Sequence, residues 1–155
     1  MASDVKFSVK DAAQKQFLIP ATVSEELEQK FIKKAKSSSI KLIPVSILVA
    51  AIVLVIIFLL VYFLKIFAIS TIALLCIIFP IYAVVDAFST SKALKNHDYE
   101  FFYGEIVGKN SDDSYQIRGL EEHKIHPLFG KKDYNPGEKA IVARVKDDLS
   151  LISEG

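Results

Sequence analysis

The sequence predicts a membrane α-helical hairpin of two transmembrane helices, preceded by an amphipathic helix and followed by a small all-β open barrel of the OB or SH3 kind. Three observations carry this. Leu42 to Leu64 runs without a charge, and Ile66 to Val85 repeats the pattern after the single Lys65. Each run is long enough to cross about 30 Å of hydrocarbon at 1.5 Å per helical residue. Beyond Lys95 the continuous apolar pattern gives way to short alternating runs separated by turn residues, as antiparallel strands require.

Composition agrees with this division. Of 155 residues 52% are hydrophobic and 24% charged, and mean hydropathy is +0.35. Residues 1–41 carry net +3 and residues 92–155 net −2, within an overall charge of +1. The organisation expected is a tail over 1–21, an amphipathic basic helix over 22–38, the hairpin over 39–91 with spans about 42–64 and 66–86, and the β domain over 97–155. One continuous helix through both runs would be about twice a bilayer thick, so the chain must reverse near Lys65, between Tyr62 and Ala68. Neither run has a polar face to show to water, which disfavours a soluble hairpin.

In the tail, Val5, Phe7 and Val9 alternate like a short strand. Thr22 and Glu25 have capping-box spacing, and Val23, Leu27, Phe31 and Ala35 then form a narrow apolar stripe. Two readings compete for that stripe: contact with an anionic leaflet, or packing on the soluble domain or a partner. Membrane-surface contact is expected of Lys30, Lys33, Lys34, Lys36, Lys41, Lys92 and Lys95, against Lys65 alone in the turn. This bias places both termini in the cytoplasm of a multi-pass cell-membrane protein. No apolar segment suited to a cleavable signal occupies residues 1–20. Pro44 is expected in the first turn of its helix, with Ser38 and Ser39 as caps. Pro80 removes the amide that would bond back to Cys76 and bends the second span. Ser70, Thr71 and Asp86 are the polar candidates inside the membrane, Asp86 at its cytoplasmic boundary.

In the β domain, Phe101 to Lys109 reads as a strand with a bulge or close approach at Gly104. Asn110 to Asp113 make a turn, and Tyr115 and Ile117 face a core. Glu122 to Phe129 is confined to an edge by Pro127. Asn135-Pro136-Gly137 forms a turn before Lys139 to Lys146 and Leu149 to Ser153, joined through Asp147-Asp148. Ile141, Ala143 and Val145 are expected to share a core face with Leu149 and Leu151.

A transmembrane hairpin followed by a barrel ending in NPGEKAIVARVKDDLSLI resembles the NfeD-like membrane proteins. The resemblance implies a cytosolic OB-type barrel and a non-catalytic accessory role at the membrane.

Chemistry is sparse. His97, His123 and His126 with Glu121 and Glu122 have ligand residue types, but the odd spacing of His123 and His126 puts them on opposite strand faces, and no paired-Cys or H-E-x-x-H motif occurs. Lone Cys76 allows no intrachain disulfide. No catalytic residue, cofactor or metal site is expected, and the acidic β end disfavours nucleic acid despite Phe101, Phe102, Tyr103, Tyr115, Phe129, Tyr134, Lys131 and Lys132. The expectation is a non-enzymatic scaffolding or regulatory protein whose β domain binds a membrane or cytosolic protein partner or a second copy of itself. The alternatives are an immunity-type protein that neutralises a membrane-active toxin, or a small pore or transport subunit.

Overall fold

The computed structural model describes the backbone of residues 5–64 and 70–153, and side chains outside 64–75. Three helices, two of them long and apolar, accompany a mixed six-stranded sheet: α1 (Val5–Gln14), β1 (Ile19–Pro20), α2 (Glu25–Leu64), α3 (Ser70–Lys95), β2 (Tyr99–Lys109), β3 (Tyr115–Ile117), β4 (His126–Phe129), β5 (Lys139–Val145) and β6 (Asp148–Ile152). The chain divides into two compact units, one made of the chain up to Ala35 and from Ala93 onward, the other of Lys36–Lys92.

The strand expected over Val5 to Val9 is helix. Val9 and Ala12 are buried, with Val5 and Ala13 packed beside them, which is a helical rather than a two-residue repeat. Phe7 lies outside it and is exposed. The helix ends in a Schellman motif: Gln16 adopts φ 61°, its amide donates to Ala13 O (3.0 Å), and the Phe17 amide donates to Ala12 O (2.9 Å). α3 ends in the same way. His97 takes φ 55°, and Asp98 N–H donates to Ala93 O at 2.9 Å. Each left-handed residue turns the chain from a helix into a strand.

α2 is continuous from Glu25, so the amphipathic segment and the first span are one helix. Its cap is Ser24, whose Oγ accepts from Leu27 N–H at 3.3 Å, two residues later than the expected Thr22. Pro44 therefore lies inside the helix, not in a first turn, and leaves the Ile40 carbonyl without its helical donor. Pro80 lies within α3, and Lys65 to Ala68 of the expected reversal fall outside the described residues.

In the sheet, β1-β2-β5-β6-β4 are neighbours in that order and β3 pairs with the far half of β2. All pairings are antiparallel except β4 with β6. Residues Tyr99 to Glu105 of β2 pair with β5, and Ile106 to Lys109 pair with β3 across a register shift. The irregularity therefore falls after Ile106, while Gly104 is a close approach: a Cβ there would lie 2.7 Å from Ile117 Cγ2 and 3.1 Å from Leu18 Cδ2. The sheet does not close into a barrel. Its two ends are β1 and β4, and β4 runs parallel to its neighbour β6.

The two faces are buried separately. α1, Leu18, Phe102, Ile106, Tyr115, Ile117, Val142 and Leu151 close one side. Leu27, Phe31 and Ala35 of α2, with Ala93 and Leu94 of α3, close the other against Ala143, Val145 and Ile152. The β5–β6 hairpin is thus buried on both faces, and Ile141, Ala143 and Val145 face away from Leu149 and Leu151. Pairing of Val145 with Asp148 fixes the reason: the two turn residues are Lys146 and Asp147, one earlier than expected, and Lys146 takes φ 52°.

Arg144 sits at this hairpin almost fully buried. Its Nε donates to Glu100 (3.1 Å), Nη2 to Asp98 (3.2 Å) and Nη1 to the Lys146 carbonyl (2.8 Å). One planar guanidinium thereby ties the hairpin turn to the start of β2, a geometry an ammonium cannot reproduce. Arg144→Ala should cost about 2–3 kcal/mol of unfolding free energy, with Arg144→Lys recovering less than about half, measured by denaturant titration of the full chain in detergent. Gly104→Ala should cost about 1–3 kcal/mol in the same assay by overfilling the contact with Ile117 and Leu18.

Candidate functional site

The buried positions described in the apolar unit are mostly small residues. Ser46, Ala50 and Ile57 are the buried positions of α2 described within it, and Ala83, Ala87 and Thr90 those of α3. Spacings of four and three or seven put each set on one helical stripe. Ser46-x-x-x-Ala50 and Ala83-x-x-x-Ala87 are small-residue pairs of the kind that lets helix backbones approach closely. The Ser46 hydroxyl donates to Ile43 O at 2.8 Å, so it brings no unpaired proton into the seam. Bulky side chains point outward: Phe58, Phe63, Phe79, Tyr82 and Phe88 are all exposed. Both helices are long and apolar enough to cross a membrane, with mean hydropathy of 3.2 for the window in Glu25–Phe63 and 1.3 for that in Cys76–Lys95.

Lys30, Lys33, Lys34, Lys36, Lys41, Lys92 and Lys95 are all exposed. They are not equivalent. Lys30 lies over the Phe129 ring, 5.1 Å from its centroid, and so covers an apolar residue of the sheet. It precedes Leu42 by twelve residues, about 18 Å of helix, whereas Lys41 adjoins the apolar run. The stripe of Leu27, Phe31 and Ala35 packs on the sheet, which decides between its two readings. Asp86 is half-buried and has an interaction partner. Ser70 opens α3, but its side chain and that of Thr71 fall outside the described residues.

The candidate ligands do not converge. Among the described residues no three His, Cys, Asp or Glu side chains are grouped to hold a metal ion. His123 lines a groove with Glu121 and Glu122, His126 lines another beside Lys109 and Lys132, and His97 belongs to the joint between α3 and β2. There the Tyr99 hydroxyl donates to Glu28 Oε1 on α2 and lies 3.1 Å from His97 Nδ1. The Tyr99 ring packs against Phe31 and Phe101. Burial, then the hydrogen bond to Glu28 and its negative charge, push the phenol up to about 12.

Turns at the far end are clipped by ion pairs. Lys109 Nζ lies 3.0 Å from both Asp113 and Asp133, which hold it above the usual lysine range. Lys124 and Ser114 hold Asp112 well below the usual carboxylate range, and Lys131 does the same to Glu138. These pairs are exposed and organise loops more than they stabilise the fold.

Sequence reasoning missed a rim of exposed apolar side chains on the β unit. Phe7, Phe17, Ile19 and Tyr103 line two adjoining grooves, one with Glu105, Arg118 and Lys139, the other with Asp11, Glu121 and Glu122. Three of the four come from the segment read as a tail. The signal available was its apolar content, Phe7, Phe17 and Ile19 within thirteen residues, which a solvated tail does not need.

Comparison with known proteins gives no matching family model, no matching curated protein and no matching solved structure. The likeness to NfeD-like proteins rests on element order and the strand ending alone.

The raised phenol of Tyr99 carries a pH dependence with a definite sign. Because its folded value lies above the ordinary phenol value of 10.0, this contribution to stability is complete below pH 10 and is lost as pH rises toward 12. Tyr99→Phe should remove a late-titrating phenol from the ultraviolet tyrosinate titration and flatten the alkaline fall in stability over that window.

Proposed function

We propose that the chain is a two-pass cell-membrane protein with both termini cytoplasmic, in which the apolar hairpin anchors a non-catalytic β unit that binds a protein partner. The observation that carries the reading is the inverted burial of the long helices. Only 17% of the most apolar window of α2 and 22% of that within Cys76–Lys95 of α3 is buried within the chain. A core helix of a water-soluble protein would be mostly buried. Leaving a Phe, Ile or Leu in water rather than burying it forgoes about 1.5–3 kcal/mol, and more than a dozen such side chains face outward here. Hydrocarbon is the solvent that removes this penalty, and α-helices satisfy their own backbone within it.

Orientation rests on Lys36, Lys41, Lys92 and Lys95, which flank the spans, against Lys65 between them. Lys30, Lys33 and Lys34 lie farther along α2, on the part of the helix that docks the sheet. The β unit contributes recognition and no reaction chemistry in this reading. Lys109, Lys124 and Lys131 are engaged in loop clips, and its histidines lie at separate sites.

The test uses the full chain in its own membranes. Alkaline carbonate should leave it in the membrane fraction. In a Cys76→Ser background, Lys65→Cys should react with an impermeant thiol reagent in intact cells, and Ser111→Cys only after permeabilisation. Release by carbonate, or labelling of Ser111→Cys in intact cells, overturns the reading. Adding positive charge to the turn through Ile66→Lys and Ala68→Lys while removing Lys41 and Lys92 should invert the labelling pattern in a measurable fraction of molecules.

A further inference from the structure

We propose that the rim formed by Phe7, Phe17, Ile19 and Tyr103 is the docking site for an amphipathic helix of a partner protein, one whose apolar stripe is flanked by Lys or Arg. The inference rests on the reading of the β unit as a binding module and supplies its surface and the chemistry of its partner.

The first observation is concentration. In the β unit the exposed large apolar side chains among the described residues are Phe7 (72%), Phe17 (41%), Ile19 (55%), Tyr103 (40%) and Val107 (42%), and the first four share one rim. Both faces of the sheet are already covered, so this rim is apolar surface that the fold does not use. The surface is continuous. A Cβ on Gly119 would lie 2.8 Å from Phe17 Cδ2, and the same glycine lines the groove beside Phe7. Gly119, at φ 83°, is the bare step that joins the two grooves.

Shape then selects the kind of occupant. The grooves hold about 150 and 270 Å³, below the usual range for a drug-sized ligand and suited to single side chains. Addition of a strand is blocked. The Ala21 amide donates to Phe101 O at 2.8 Å, so by two-residue alternation the amide of Ile19 also points to β2. The position between them, whose amide would face a new strand, is Pro20. A partner must therefore bind through side chains, and a helix offering anchors at i, i+3, i+4 and i+7 matches two grooves in series.

Charge selects its flanks. Asp11, Glu121 and Glu122 line the groove beside Phe7, and no Lys or Arg lines it. In the other groove Arg118 is matched by Glu105 at 3.0 Å. Lys15 pairs with Asp11 at 2.7 Å, which leaves Glu121 and Glu122 as the excess charge at the Phe7 end, and Lys139 lines the other groove. A cationic flank therefore meets the two glutamates at the Phe7 end, while an acidic flank there meets like charge.

The experiment uses the full chain in phosphatidylcholine nanodiscs and two stapled amphipathic peptides that share a Leu stripe, one flanked by Lys and the other by Glu. The Lys-flanked peptide should bind saturably and at least about tenfold more tightly than the Glu-flanked one. Phe7→Ala with Ile19→Ser, and separately Glu122→Lys, should each weaken it about tenfold with unchanged melting temperature. Val107→Ser, off the rim, should leave it unchanged. Equal affinity for both peptides, equal binding to empty nanodiscs, or insensitivity to the rim variants overturns the proposal. So does a two-copy particle that Ile19→Ser converts to one, since the rim would then be a self-contact. Carbonate extraction of the same variants separates the outcomes: retention in the membrane with no peptide binding removes the docking site and leaves the anchored architecture standing.

Discussion

Phe31 is completely buried between α2 and the sheet, packed edge-on against Phe101 at 5.2 Å between ring centroids, and the β unit depends on that contact. A segment of about sixty residues buries only about 60% of the surface its unfolded chain exposes, so a second covered face of the sheet adds to a marginal core. Here that second layer is supplied by the terminal turns of the two long helices: Leu27, Phe31 and Ala35 before the apolar run, Ala93 and Leu94 after it. The other layer is α1 with Leu18. The sheet is thus held between elements that lie before and after the hairpin in the chain, and the hairpin is an insertion between two parts of one core.

That arrangement explains why an open sheet suffices. A closed barrel removes strand edges, whereas an open sheet must protect them. β1 ends the sheet with Pro20, whose missing amide falls where a new strand would seek a donor, and β4 ends it with Pro127. The remaining free length of β2 is covered by β3. Closure is unnecessary when the two outer strands are short and carry proline.

Much of this was legible in the residues, and the failures have physical causes. The apolar runs, the edge position of Pro127, the turn at Asn110 to Asp113 and the strands of the final hairpin follow from pattern alone. The register of that hairpin does not. Val145 and Leu149 are both apolar, so nothing in alternation says which residue turns, and the chain chose Lys146 for the left-handed position. Burial on both faces removed the alternation that would have fixed the parity of Ile141, Ala143 and Val145. Val5, Phe7 and Val9 fit a strand by spacing, but Ala12 and Ala13 complete a helical face that only a neighbouring sheet makes useful. The rim was invisible for a related reason. Phe17 and Ile19 belong to a segment without periodicity, and Tyr103 lies in β2 between the buried positions Phe102 and Gly104. Only β1 pairing with β2 brings Ile19 opposite Tyr103.

The same physics distinguishes the apolar surfaces of the two units. Along the two long helices within Lys36–Lys92 the exposed side chains are large and, Ile57 apart, the buried ones are small. In the β unit the order is reversed: Phe31, Tyr115, Ile117 and Leu151 are fully buried, and charged side chains cover the loops. A rim of exposed aromatics is therefore ordinary on the first unit and exceptional on the second. Phe88 on α3 and Phe7 on α1 are similarly exposed, at 78% and 72%, yet only the latter stands on a surface otherwise built for water. Exposure acquires meaning from the solvent each unit is shaped to meet, and by that measure the Phe7 rim is the part of the β unit that its own fold does not account for.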